Sequence, residues 1–252
     1  YQDIDQDYPY RVMFCPINFD GDEIVLNNGQ HKDDANKPAV VYYSFVKTST
    51  HWYLGYYLYY PYRWSDFGAL GTQYDNAMRG VLLVVEQDGS SYGKLTAMVT
   101  TREDTYMTYA PVSSIVAGSL GLDGDLRYDE SGHHPIVYVH AADHGIFGDA
   151  YLFNDVSNWE VSGFPGNDGL VYSWGNVADI PENPVDTVGT ARYELLANKD
   201  FMWPGRFDTG GATYMFDDFG QWTANDPPFA LPRPLALQRR EHVDAPGRRV
   251  PL

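Results

Sequence analysis

The chain has 252 residues, 44% hydrophobic and 15% aromatic, and a formal net charge of −17. That length and apolar content suit one globular domain with a real core, and no run of 18 apolar residues predicts a transmembrane segment. So acidic a surface excludes nucleic acid and anionic membranes as default partners.

The acids are 26 Asp and 8 Glu, and 21 residues are Tyr. Asp favours turns and caps over helix interiors, whereas Tyr favours strands and keeps a polar tip. The composition therefore predicts an all-β chain, an antiparallel β-sandwich with long loops. Charge of this size keeps a secreted protein soluble; adaptation to high salt is the alternative, which 5 Lys beside so many Asp also fits. Cys15 is the single cysteine, which excludes an intrachain disulfide. In the apolar run Val12-Met13-Phe14-Cys15 it reads as a buried, inert thiol. A chain that starts at Tyr1 rather than Met fits an exported, extracellular protein trimmed at its N-terminus.

In chain order, residues 1–10 form an acidic lead-in with Asp3, Asp5 and Asp7, 11–19 a first strand, and 27–37 a polar loop. The strongest strands are 39–47 and 51–60, joined at hairpin length by Thr48-Ser49-Thr50. Strand 51–60 is apolar on both faces and so central; Gly55 inside it marks a bulge or a close backbone approach. A loop with Trp64 follows at 61–71, then a polar turn at 74–80. Strands 78–87 and 94–101 are predicted to pair around Asp88-Gly89. Short strands are expected at 105–109 and 113–117, a Gly/Asp loop at 118–132, a clear strand at 135–141, and further elements at 170–174 and 191–197. Residues 1–226 read as one sandwich domain. Residues 227–252 hold six Pro and five of the 12 Arg and read as an extended C-terminal arm. The arm is laid across its own acidic body, across a neighbouring subunit in a homo-oligomer, or across neither.

Several of these runs occur together in known proteins. The Tyr- and Trp-rich strand pair precedes Tyr74-Asp75-Asn76-Ala77-Met78-Arg79-Gly80, which leads into Val81-Leu82-Leu83-Val84-Val85. His134-Pro135-Ile136-Val137-Tyr138-Val139 follows and ends at His144-Gly145. With Tyr109-Ala110-Pro111 and Ala224-Asn225-Asp226-Pro227-Pro228-Phe229, these runs resemble the vacuolar protein sorting-associated family named for a yeast protein. More remotely, they resemble the necrosis-inducing cytolysins of plant pathogens. The resemblance covers residues 39–144, with an echo near 225. It implies a β-sandwich and a turn whose His, Asp and Glu hold a divalent cation. In this chain those places are Tyr74, Ala77 and Arg79. A hard cation needs several oxygen ligands, so the metal site is not expected here. Asn76, Gly80, His134 and His144 match the pattern and are carried over as structural or pocket-lining residues.

Other groups stand out by residue type. His140, Asp143 and His144 offer two imidazoles and a carboxylate, a set suited to zinc or copper; capping at a strand end is the alternative. Asp123, Asp125 and Asp129, around Gly124, are spaced to wrap calcium, or form a solvated acidic loop. Trp64, Trp203 and Trp222 in loop-like context can stack on sugar faces or close the ends of the core. No Gly-x-Ser-x-Gly elbow and no phosphate-binding glycine loop occurs.

Three readings follow. The first is a secreted binding or assembly module for a polysaccharide or other polar ligand, lined by Trp64, Tyr74, Asp75, Asn76 and Arg79, or with the former cavity filled by an internal Arg79–carboxylate pair. The second is an extracellular polysaccharide-active hydrolase or lyase whose catalytic candidates are His134, His140, Asp143 and His144, aided by Tyr74 and Arg79. The third is a cytolysin-like toxin. No cofactor is required by any of them; calcium at Asp123, Asp125 and Asp129 is a candidate, and zinc or copper at His140, Asp143 and His144 would go with the second.

Overall fold

The computed structural model describes residues 14–21, 30–31, 37–64, 73–102, 105–111, 122–139, 144–148, 170–180 and 189–198, with backbone alone at 62–64, 73–76, 170 and 189. These residues form β1 (Val40–Lys47), β2 (His51–Trp64), β3 (Gln73–Glu86), β4 (Lys94–Arg102), β5 (Thr105–Ala110), β6 (Gly124–Asp125), β7 (Tyr138–Val139), β8 (Ile146–Phe147), β9 (Leu170–Trp174) and β10 (Gly189–Ala197). The fold is all-β, as the composition predicts. Among the described residues, no helix is long and apolar enough to cross a membrane.

One large sheet has the order β6-β5-β4-β3-β2-β1-β10-β9, and β7 and β8 pair in a small second sheet. β1 to β5 form an antiparallel meander that contains the two predicted hairpins. The flanks depart from a purely antiparallel sandwich, because β1 with β10, β10 with β9, and β5 with β6 all pair in parallel. A parallel neighbour needs a long crossover, and β10 follows β5 only after residues 111–188.

Two turns are made as their chemistry requires. Thr48 Oγ1 accepts from the His51 amide at 3.0 Å and donates to the His51 carbonyl. At 87–93 the Asp88 carboxylate accepts from the Ser90 amide, while Gly89 takes a φ of 91° open to glycine.

The polar turn expected at 74–80 is strand instead. β2 and β3 stay in register out to Trp64 and Gln73, so 61–64 is not a loop either. Pro61 is tolerated because Tyr59 directs its carbonyl away from β3, to the Cys15 amide at 3.0 Å. Bonding direction repeats every two residues, so the N–H missing at Pro61 is one β3 does not need. The strand expected at 11–19 is absent from its described part: 14–16 join no strand ladder and 17–21 turn, with Phe19 and Gly21 amides donating to Pro16 and Asn18 carbonyls. Of the strand expected at 135–141, the described residues 135–139 hold strand only at Tyr138–Val139, with Pro135 in an isolated bridge to Tyr128. The expected strand at 113–117 and the arm at 227–252 lie outside the described residues.

Alternation along the strands makes two apolar faces on the large sheet. One buries Ala39, Val41, Leu58, Tyr60, Ala77, Val81, Leu83, Met98 and Tyr109, together with Phe14, Leu126 and Ile146. The small sheet lies on this face: β8 packs on β3 and β4, and Thr100 Oγ1 donates to the Ile146 carbonyl at 2.6 Å. The opposite face buries Val40, Tyr42, Tyr57, Tyr59 and Met78 under Cys15 and Ile17.

Candidate functional site

Residue parity places Arg79 on the face that carries the small sheet, two positions after Ala77 and two before Val81. Its side chain has no exposed surface, and its guanidinium Nη1 donates to the Met78 carbonyl at 3.3 Å. Across β2 the register is Leu58 with Arg79 and Tyr60 with Ala77. The methyl of Ala77 leaves room for the Tyr60 ring, which is fully buried. The imidazole of His144 stacks on that ring at 3.9 Å and 6°. His144 is itself 3% exposed and has a φ of 58°, in the left-handed region that His tolerates better than most residues. Phe14 meets Tyr60 edge-on and tilts against Tyr172, closing the cluster.

Burial dominates the electrostatics here. It pushes the Tyr60 hydroxyl well above the ordinary phenol range; nearby Tyr172 adds to that rise and the Arg79 charge opposes it. Tyr172 and Tyr42 are raised by burial as well. The Tyr60 hydroxyl has no hydrogen-bond partner among the described residues, so burial outweighs the Arg79 charge and the neutral phenol is favoured. The Cys15 thiol is driven far up by burial and stays protonated, so it is no nucleophile. The thiol expected to be inert is completely buried and free.

The cation implied by the resemblance does not fit these residues. Ala77 offers no oxygen, and a buried guanidinium two residues on puts positive charge where a divalent ion would need negative. Trp64, Tyr74, Asp75 and Asn76 are described by backbone alone. Register places Tyr62 beside Asp75, Arg63 beside Tyr74, and Trp64 beside Gln73, at the far end of the β2–β3 ribbon. Gly80 donates its amide to Thr101 Oγ1 at 2.9 Å, in the interior.

The remaining candidates are dispersed. His134 is exposed, and its Nδ1 lies 2.9 Å from Asp129 Oδ2. Asp129 also accepts from Ser131 Oγ and from the His133 and His134 amides, and these bonds hold its carboxyl well below the usual range. The Asp129 carboxylate thus ties a turn. Asp123 accepts from the Thr108 amide at 2.6 Å, at the start of β6, where Asp125 pairs with Ala110. Among the described residues, no three His, Cys, Asp or Glu side chains gather as a metal set. His134 and His144 are not brought together: one is exposed and the other lies under Tyr60. His140, Asp143, Trp203 and Trp222 lie outside the described residues.

Tyr60 is the member of the buried cluster that the sequence reading missed. Its signal is the small residue opposite: an Ala in a strand otherwise filled by large side chains leaves space for a ring.

No family model matches the chain, and no curated protein does; the likeness to the vacuolar-sorting family has no support in these comparisons. Its structural neighbours are necrosis- and ethylene-inducing-like proteins, at low identity and partial coverage. One solved structure, described as a toxin fold for microbial attack and plant defense, is 14% identical with a TM-score of 0.32, over 77% of this chain and 69% of that one. NLPPya in complex with glucosamine is 13% identical with a TM-score of 0.30, over 75% and 68%. The non-toxic HaNLP3 protein is 18% identical with a TM-score of 0.25 and aligns over 37% of this chain and 42% of its own. Likeness at this level transfers neither function nor residue roles.

Proposed function

We propose that this chain is an extracellular binding module, with a polysaccharide or similar polyhydroxyl ligand, and that it works without a divalent cation. The observation that carries the reading is the register at the far end of β2 and β3. It sets Tyr62, Arg63 and Trp64 against Asp75, Tyr74 and Gln73 on one two-stranded ribbon. Aromatic rings offer flat apolar faces to sugar rings; strand parity assigns Tyr62, Trp64, Asp75 and Gln73 to one face of the ribbon, and carboxylate and amide groups can bond hydroxyls. Arg79 and His144, the neighbouring groups with catalytic potential, are buried and covered by protein. That favours binding over acid–base chemistry, because a general acid or base must reach its substrate.

Titration of soluble glycans against tryptophan fluorescence tests the proposal. The expected result is saturable binding that chelator leaves unchanged and that Trp64→Ala weakens about tenfold. Equal binding by Trp64→Ala, or release of new reducing ends from the glycan, would overturn it.

A further inference from the structure

β10 stops at Ala197, opposite Tyr43, while β1 runs on to Lys47. The Glu194 amide donates to the Ala39 carbonyl, so the odd residues of β1 address β10. Phe45 and Lys47 therefore turn their backbone groups to the side where β10 has ended, and no described strand takes its place. Phe45 and Val46, which point to opposite faces, are 54% and 56% exposed, and Tyr43 is 37% exposed. An edge that is open and apolar on both faces invites another strand.

The C-terminal arm holds a segment of matching form. Residues 228–237 read Pro-Phe-Ala-Leu-Pro-Arg-Pro-Leu-Ala-Leu. In an extended chain, side-chain direction and bonding direction both alternate. Phe229, Leu231, Arg233, Leu235 and Leu237 then share one face and bond to one side. Pro228, Pro232 and Pro234 all fall in the other set, so one edge loses three of its five N–H donors while the opposite edge keeps every one. That is the pattern of a strand paired on a single side. Charge favours the same contact. Residues 227–252 carry five Arg against Glu241 and Asp244, a net of +3; residues 1–226 carry 12 Lys and Arg against 32 acids, a net of −20. Reach is no obstacle, since the 29 residues between Asn198 and Pro228 span far more than one domain at about 3.3 Å each.

We propose that residues 228–237 add as an edge strand to β1 at residues 45–47 of the same chain, covering Tyr43 and Phe45. Amide hydrogen exchange on the full chain tests this. The Phe45 and Lys47 amides should exchange at least about 100-fold more slowly than open-chain rates. A Leu231→Asp/Leu235→Asp variant should lose that protection while the Val41 and Leu83 amides keep theirs, which shows that the fold persists. Unprotected Phe45 and Lys47 in the parent chain would overturn the proposal, as would protection the variant leaves unchanged. Protection that disappears on dilution, with a doubled mass by light scattering, would overturn it in favour of an arm supplied by a second copy.

Discussion

Arg79 is the residue on which the site turns. A guanidinium with no exposed surface, opposite Leu58 in the β2–β3 register, is held by packing as well as by its bond to the Met78 carbonyl. Arg79→Ala should cost about 3 kcal/mol in urea unfolding, as other large-to-small core changes do, and Arg79→Met should recover much of it by filling the volume. The buried tyrosines set an alkaline limit. Tyr42, Tyr60 and Tyr172 titrate above the ordinary phenol value of 10.0 in the folded state. Their contribution is therefore complete below pH 10 and is lost as pH rises above it, because the unfolded chain ionises first. Stability should be flat below that point and then fall by about 1.4 kcal/mol per pH unit for each such group. Phenolate absorbance should rise together with loss of structure. The sequence named Arg79 and His144 but could not show that both are interior, since charged and imidazole groups are read as surface by default. Burial was decided by parity on β3 and by a left-handed backbone at His144, neither of which composition reports.

Among the elements, β2 carries the most specific constraint. A Cβ on Gly55 would lie 2.6 Å from the Tyr57 hydroxyl and 2.7 Å from Ser44 Oγ, which bond each other at 3.0 Å. Gly55→Ala should therefore break that cross-strand bond and cost about 1–2 kcal/mol. Ser44→Ala, which leaves the backbone alone, should cost about 1 kcal/mol; equal stability of Gly55→Ala and the parent would refute this account. At the 129–134 turn, Asp129→Ala should speed exchange of the His133 and His134 amides and leave the core amides unchanged, since the carboxylate caps only local donors. The hairpins were legible because Thr48-Ser49-Thr50 and Asp88-Gly89 are turn chemistry between apolar runs. The far halves of β2 and β3 were not. Asp75, Asn76 and Pro61 are poor strand formers, and their pairing comes from the ribbon that precedes them. The parallel return of β10 beside β1 was illegible for another reason: the partners lie about 150 residues apart in sequence, and no local signal links them.

At the scale of the whole molecule, the absence of fit between a divalent ion and Ala77/Arg79 has a measurable form. Calcium, magnesium or chelator should each shift the melting temperature by less than about 1 °C, because a ligand that does not bind the folded state cannot stabilise it. A saturable rise with calcium would instead place an oxygen-rich site outside the described residues. Cys15 adds an opportunity of a different kind. Its thiol sits at 0% exposure beneath the face that carries Tyr42, Tyr57 and Tyr59, and the chain has no other cysteine. A thiol reagent added to the native protein thus becomes a clock for the opening of that face. A cysteine engineered on the surface would take up a thiol-reactive fluorophore well before Cys15 is reached.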